Sequence, residues 1–359
     1  RNTHRRRYAP AADVNFDQKA SCQQLAFFVF ARENQSRMTR KFRFPWVALA
    51  ISILAFQLLW ASEDMDVEYA ELMPLAKESV LLDITKTDQG FVAVGERGHI
   101  VWSADGETWT QAEHVPTRAT LTTVFGLGDR LWAGGHDAVI VTSGDGGRTW
   151  TLKYSDSERQ QAVMDIYFST ETEGVAIGSY GLAMTTSDGG LTWEDSLVDE
   201  ENEFHLNSLV RFDDGRRMIA GEAGYSYRSL DDGMTWEALD LPYTGSMWGS
   251  IKLPDDCVLF YGLRGHILES CNFGETWQEL PSGSQSSLSG AAYQGGLLVF
   301  AGNSGRVLIR DDGGAFKTHH HTSGVDFSAV LSLDNGEFLL VGEDGIHRFP
   351  ERTGDGNEQ

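Results

Sequence analysis

Positive charge is scarce in this sequence, which has 29 Lys and Arg against 52 Asp and Glu in 359 residues. Ten of the basic residues fall in residues 1–62 beside only three acidic ones, so the rest of the chain has a net charge of −30. Nucleic-acid binding requires Lys and Arg to neutralise phosphates, and anionic lipid surfaces repel an acidic body. We therefore expect neither nucleic acid nor an anionic membrane surface to bind this part of the chain.

Cysteine is also scarce, and only Cys257 and Cys271 lie in the acidic body. They stand at the far ends of two predicted strands on either side of the Gly262–Gly265 turn. In an oxidising compartment these two thiols can form a disulfide. The alternative is two free, half-buried thiols.

Amphipathic helical periodicity is absent after residue 80, and a short box recurs instead. Residues 143–150 read Ser-Gly-Asp-Gly-Gly-Arg-Thr-Trp, and close copies end at residues 109, 193, 236 and 277, with a degenerate copy ending at Phe316. The period of 39 to 43 residues is typical of a stacked or radial array of small supersecondary units.

Inside each box the chemistry is that of a turn. An Asp or Asn accepts hydrogen bonds from main-chain N–H groups that follow it, and Gly adopts positive φ. A single active site would not need five equivalent copies of the same acid. We therefore interpret these residues as structural turns rather than as catalytic or metal-binding acids. They are Asp105, Asp145, Asp188, Asp231 and Asn272.

Seven units can be aligned, and each has short apolar strands around a glycine turn. The second strands end at Gly95, Gly135, Gly178, Gly221, Gly262, Gly302 and Gly342. Short strands with regular turn signals predict an all-β protein, and radial repetition protects the edges of the sheets. The sequence predicts a single seven-bladed β-propeller of four-stranded antiparallel blades.

The last unit ends at a polar tail without an outer strand. Residues 67–74 precede the first unit and end in an apolar residue followed by proline, as other predicted outer strands do. We therefore expect this N-terminal strand to complete the last blade and close the ring.

The N-terminal region has the pattern of an export signal. Residues 38–61 combine a basic start with an apolar run, which is typical of a signal peptide or an N-terminal anchor. Residues 1–37 are interpreted as an upstream or disordered segment, residues 62–350 as the propeller and residues 351–359 as a polar tail. The expected location is outside the cytoplasm, periplasmic or tethered to the inner membrane on its periplasmic side.

The boxes resemble the Asp-box, or bacterial neuraminidase repeat. Together with the Gly-x-x-Gly turns and the export signal, they make the ring similar to the photosystem II assembly and stability factor family, most clearly over residues 115–150. The resemblance implies a non-enzymatic propeller that docks on an assembling membrane complex. Photosynthetic members use a basic patch, whereas this body is acidic.

An enzyme is the alternative interpretation, because sialidases and some glucanases are Asp-box propellers. The Arg-Ile-Pro sequence that usually announces a sialidase is absent. General glycosidase chemistry needs two carboxylates about 5 Å or about 6.5–9.5 Å apart, and the sequence does not exclude such a pair. A glycoside hydrolase or a carbohydrate-binding propeller is thus the second hypothesis. Its discriminator is whether two buried carboxylates meet at one mouth of the channel.

The expected working face carries the connections between blades and the second-to-third-strand hairpins. Its candidate partner-binding residues are Arg97, Arg118, His136, Asp137, Arg159, Tyr180, His205, Tyr243 and Arg264. Arginine and tyrosine often carry protein-binding energy; alternatively, the arginines form weak salt bridges with Glu96, Glu222 or Glu343. We expect a monomer with a membrane-protein client, no cofactor and no metal, and interpret residues 319–321, His-His-His, as a solvated loop.

Overall fold

A computed structural model describes residues 67–311 and 313–351. They belong to one compact unit. The predictions made for residues 1–37, for the export signal at 38–61 and for the tail beyond residue 351 lie outside the described residues. Within the described ranges, no helix is long and apolar enough to cross a bilayer.

The strands form seven antiparallel sheets, which we call blades 1 to 7 in chain order. Blade 1 contains β1 (Leu81–Thr87), β2 (Gly90–Gly95), β3 (Ile100–Ser103) and β4 (Thr110–Gln111), and blade 2 contains β5 (Leu121–Leu127), β6 (Arg130–Gly135), β7 (Ile140–Ser143) and β8 (Thr151–Tyr154). Blade 3 contains β9 (Val163–Phe168), β10 (Gly174–Gly178), β11 (Ala183–Thr186) and β12 (Glu194–Asp195), and blade 4 contains β13 (Leu206–Arg211), β14 (Arg217–Gly221), β15 (Tyr227–Ser229) and β16 (Glu237–Ala238).

The remaining blades follow the same order from the channel outward. Blade 5 contains β17 (Met247–Lys252), β18 (Val258–Gly262), β19 (Ile267–Ser270) and β20 (Gln278–Glu279), and blade 6 contains β21 (Leu288–Gln294), β22 (Leu297–Gly302), β23 (Arg306–Asp311) and β24 (Lys317–His320). Blade 7 contains β25 (Phe327–Ser332), β26 (Phe338–Gly342) and β27 (Gly345–Phe349). Short 3-10 turns lie at Ala76–Glu78, Glu96–Gly98, His136–Ala138, Ser157–Arg159, Ser179–Gly181, Glu222–Gly224 and Leu263–Gly265. The all-β, seven-bladed prediction is confirmed.

Hydrophobic burial takes place mainly between neighbouring blades. One cluster joins Val94 and Ile100 of blade 1 to Leu121 and Val141 of blade 2. Another joins Met218 of blade 4 to residues of blade 5. Because each blade buries its faces against two neighbours, the array is stable as a ring.

The ring closes where blade 7 meets blade 1, since β25 packs beside β1. Lys86 of blade 1 forms an ion pair with Asp334 of blade 7 at 2.8 Å. The Arg348 guanidinium of β27 donates to the main-chain oxygen of Gly106 at 2.9 Å. These contacts link the first and last blades through side chains.

The prediction that residues 67–74 complete the last blade is wrong. Blade 7 has three strands among the described residues, and residues 67–74 lie against blade 1. The Ala70 N–H donates to the Val115 oxygen at 2.9 Å, and the Gln111 side chain bonds to the main chain of Met73 and Glu71. The physical reason is that Gln111 satisfies this main chain from β4 while Ala70 packs against the core between blades 1 and 2.

Candidate functional site

The two ends of the ring differ in the turns that they carry. In a four-stranded antiparallel blade, turns alternate between the two ends, so the second-to-third-strand hairpins lie on the same end as the connections to the next blade. We call this end the connection face, and the opposite end, with the Asp-boxes, the box face. The nine predicted partner-binding residues all occur in turns of the connection face.

Four of these residues occupy the same place in their hairpins. Arg97, Asp137, Tyr180 and Arg264 have φ between 53° and 59°, and blade 4 has Ala223 there at φ 53°. Positive φ is costly for a residue with a Cβ, yet the hairpin imposes it whichever side chain is present. The side chain at this place therefore varies without altering the turn.

Two predicted anchors are already engaged within the chain. The Arg118 guanidinium lies 3.1 Å from the Glu71 carboxylate and donates to the Tyr69 oxygen at 2.9 Å. Arg159 forms ion pairs with Asp156 at 2.9 Å and with Asp195 at 2.7 Å. These arginines stabilise local structure, with partners other than the glutamates predicted from the sequence.

Other predicted residues remain exposed to solvent. Arg97, His136, Asp137 and Arg264 are exposed, and neither arginine side chain forms an ion pair within the described part of the chain. Arg97 belongs to blade 1 and Arg264 to blade 5, so the structure does not bring them together.

Aromatic side chains are brought together over blades 3 to 5. The Tyr180 ring meets the His205 ring edge-on, with centroids 4.9 Å apart, and Tyr243 stacks on His266 at 3.7 Å. Sequence reasoning missed Trp248, which is the second residue of its inner strand. A signal existed, because the other blades have Leu82, Thr122, Met164, Asn207, Ser289 and Ser328 there.

Trp248 lines a cavity of about 270 Å³ on this side of the ring. His205, Glu222 and Ser246 also line it, and the His205 Nδ1 lies 3.9 Å from the Glu222 carboxylate. Glu222 additionally accepts the His205 main-chain N–H at 3.2 Å. The cavity combines one aromatic wall with a carboxylate that is available to a ligand.

On the box face, the repeated acids are occupied by their own turns. The Asp145 carboxylate accepts the N–H groups of Arg148 and Thr149 at 3.0 Å and the Thr149 hydroxyl at 2.6 Å. Asp188 and Asp231 make the corresponding bonds to Thr192 and Thr235. Asp105 accepts the N–H groups of Glu107 and Thr108, and Asn272 bonds to the main chain and the hydroxyl of Thr276.

Hydrogen bonds within a box lower the pKa of its aspartate. The bonds from Thr192, its hydroxyl first, lower the pKa of Asp188 to about 2. An acid held in its charged form by its own turn is poorly suited to general acid catalysis.

The central channel has a volume of about 370 Å³ and contains two carboxylates. Asp83 of β1 and Asp165 of β9 line it. Burial raises the pKa of Asp83 to about 6, against main-chain hydrogen bonds that lower it, and burial raises the pKa of Asp165 to about 7, with the charge of Asp83 adding to the shift. Two protonatable acids thus line one cavity, which is one part of what the enzyme hypothesis requires.

The same carboxylates link neighbouring blades. Asp83 accepts the N–H of Ile84 in its own strand and that of Val124 in blade 2, both at 2.8 Å. Asp165 accepts the N–H of Leu209 in blade 4 at 2.7 Å. The inner strands contain a bulge at this level, and the bulge exposes main-chain N–H groups that need an acceptor.

Other side chains bond to main-chain groups of the following blade, between blades 4 and 5 and between blades 5 and 6. The Ser208 hydroxyl accepts the Ser250 N–H at 3.2 Å, and the Tyr261 hydroxyl bonds to the main chain of Ala291. The Tyr261 ring fills the space beside Gly249, where an added Cβ would lie 2.3 Å from the ring. We call Asp83, Asp165, Ser208 and Tyr261 the inter-blade links.

The two cysteines of the acidic body form a disulfide in this structure, with an S–S distance of 1.99 Å. It joins the chain on either side of the β18–β19 hairpin. The histidines at 319 and 320 are exposed on β24, whereas His321 is buried against Ser323 and Phe327. Within the described ranges, no three His, Cys, Asp or Glu side chains are grouped to hold a metal ion.

Part of the chain is similar to a known protein family, and the propeller is similar to solved structures. Residues 153–280 match the family described as photosynthesis system II assembly factor YCF48. The clearest resemblance was expected at residues 115–150, which lie outside this match. A solved structure of YCF48 bound to D1 peptide is 20% identical with a TM-score of 0.64, over 77% of this chain and 94% of that chain. YCF48 from Cyanidioschyzon merolae is 18% identical with a TM-score of 0.62, over 78% of this chain and 96% of that chain.

Enzymes share the fold as well. A streptogramin B lyase is 14% identical with a TM-score of 0.64, over 78% of this chain and 96% of that chain. No curated protein matches. The similarity to solved structures shows the propeller fold. The match over residues 153–280 shows which part of the chain resembles the assembly-factor family. The resemblance inferred from the repeats is thus confirmed: the chain is a seven-bladed propeller similar to the photosystem II assembly factor family.

Proposed function

We propose that this chain is a non-catalytic, exported scaffold that binds a protein client, a component of a membrane complex, during assembly. The observation that carries the proposal is the family match over residues 153–280 together with a similar propeller that is bound to a D1 peptide. The box acids are used by their turns, which leaves the connection face as the surface with varied chemistry. The proposed client contact is on that face.

Co-purification from membranes tests the client and its face together. Wild type should retain a membrane-protein partner, and Arg97→Ala/Arg264→Ala should weaken that retention, because both arginines are exposed. Alanine suits the hairpin, since blade 4 has Ala223 at the same place. The control is Arg130→Ala/Arg310→Ala, which changes two arginines at the box-face ends of β6 and β23. A wild-type protein that retains no membrane partner would contradict the function.

Export is a separate part of the proposal. The basic start and apolar run of residues 38–61 support it. A reporter enzyme that is active only outside the cytoplasm should be active when fused after residue 70. An inactive but intact fusion would overturn the proposed location.

A carbohydrate-active enzyme is the second candidate, favoured by the channel acids. Asp83 and Asp165 share the channel, and their raised pKa values suit an acid that donates a proton near neutral pH. Against it, both accept main-chain N–H groups from neighbouring strands. Turnover of glycosides that disappears in Asp165→Asn, while the protein remains folded, would favour the enzyme.

A further inference from the structure

We propose that blades 3 to 5 bind a cationic peptide segment of the client, whose Lys or Arg and apolar side chains lie on the aromatic residues of the connection face. We call Tyr180, His205, Tyr225, Tyr243 and Trp248 the aromatic patch. The inference rests on the proposed scaffold function and adds the site and the chemistry of the partner.

Two exposed tyrosines of the aromatic patch pack against other rings, and an exposed tryptophan lines the cavity beside them. Tyr180 is 58% exposed while its ring meets His205, and Trp248 is 38% exposed beside the cavity of about 270 Å³. Tyr225 is 37% exposed and stacks on Phe204 with centroids 4.0 Å apart. Rings that are already ordered lose little conformational entropy when a partner covers them, and such rings are typical of the residues that dominate binding.

The patch extends across three adjacent blades. Tyr180 and His205 join the hairpin of blade 3 to the connection that enters blade 4, and the Gly181 N–H donates to the Phe204 oxygen at 3.1 Å. The cavity then links His205 to Trp248 of blade 5. An extended peptide side chain entering this cavity contacts both rings and the Glu222 carboxylate.

The charge around the patch selects the kind of peptide. Residues 178–182, 196–206, 221–226 and 242–247 form the hairpins of blades 3 and 4 and the connections into blades 4 and 5, and they contain five carboxylates and no Lys or Arg. The hairpin of blade 5 adds one exposed arginine, Arg264. Opposite charge steers association and like charge opposes it, and a cation over a tyrosine or tryptophan face gains further attraction. A basic segment fits this surface and an acidic segment is repelled, whereas a neutral sugar has no net charge for the carboxylates to attract.

Fluorescence anisotropy on the full chain tests the inference with a labelled peptide of alternating Arg and Leu. The charge-reversed peptide, with Glu in place of Arg, should bind at least about tenfold more weakly, and added salt should weaken the basic peptide. Tyr180→Ala/Trp248→Ser should lose about tenfold or more in affinity, as expected for aromatic residues that dominate binding. Blade 4 has Ala223 at the Tyr180 place, and blades 6 and 7 have Ser289 and Ser328 at the Trp248 place, so both substitutions suit the fold.

Tyr69→Ala is the matched control, because Tyr69 is 50% exposed and lies outside the aromatic patch. Equal binding of the two peptides, or unchanged binding by Tyr180→Ala/Trp248→Ser, overturns the inference. Binding of a neutral oligosaccharide that competes with the peptide would assign the patch to carbohydrate instead. If membranes yield a client that the patch variant retains fully, the scaffold function stands and this site is wrong; if wild type retains no client, the function itself is wrong.

Discussion

Single side chains at the channel wall serve two blades at once. Asp83 and Asp165 accept main-chain N–H groups across blade boundaries, and that role also buries their charge. The cost of burial appears as raised pKa values, about 6 for Asp83 and about 7 for Asp165, against 3.8 for an ordinary aspartate. A structural role thus produces the same electrostatic signature as a catalytic one.

We expect these two aspartates to make the protein less stable as pH rises from about 4 to about 7. The folded state holds both protons more tightly than the unfolded state, so their contribution is full below pH 4 and is lost through the folded pKa values. Each aspartate adds a slope of up to about 1.4 kcal/mol per pH unit in this window. Urea unfolding at several pH values should show a shallower decline for Asp83→Asn/Asp165→Asn.

Asn keeps only one accepting oxygen, so the double variant should also have a constant offset in stability, and the slope is the informative quantity. The control is Asp255→Asn at an exposed position, which should keep the wild-type slope. Identical slopes for all three proteins would contradict the raised pKa values.

Elements that repeat were predictable from the sequence, and elements that occur once were not. The glycine turns and the boxes predicted the second and third strands, because each depends on a local turn that the same residue types impose every time. The segment 67–74 was assigned to the wrong blade, because an apolar residue followed by proline does not say which edge it meets. Gln111 decides that, and it lies some forty residues away.

The residues of the candidate site also differ in how well the sequence predicted them. Turn residues such as Tyr180 were predictable, since a hairpin exposes its tip in every blade. Tyr261 was not, because its role depends on which residue faces it from another strand. Gly249 makes room for the Tyr261 ring, and that relation has no counterpart in the repeat pattern.

The disulfide of blade 5 should stabilise the β18–β19 hairpin. Cys257 and Cys271 are separated by 14 residues, and cross-linking a loop of that length contributes about 3 kcal/mol through the unfolded state. Cys257→Ser/Cys271→Ser should unfold at correspondingly lower urea concentration. A reducing agent should lower the stability of wild type toward that of the variant and leave the variant unchanged. Insensitivity of wild type to reductant would indicate that the thiols are free in the purified protein.

The ring is closed by side-chain contacts and packing between blades 7 and 1, rather than by a shared sheet in the described residues. Deleting residues 67–73 should therefore cost only about 1–3 kcal/mol, from the lost contacts of this segment with Gln111, Val115 and Arg118 and the lost packing of Ala70. Gln111→Ala should reproduce part of this loss, which calorimetry can measure. Unfolding of the whole ring by the deletion would show that the segment has a larger role in closure than these contacts give it.

The inter-blade links also make the blades unequal as building units. Blade 1 supplies an aspartate to blade 2, and blade 3 supplies one to blade 4, whereas blade 5 uses Tyr261 for blade 6. A circular permutation keeps every such neighbour pair, but duplicating or exchanging a blade places an N–H group opposite the wrong side chain. Although its sequence reads as seven copies of one motif, the protein can be cut open at many turns but cannot be reshuffled.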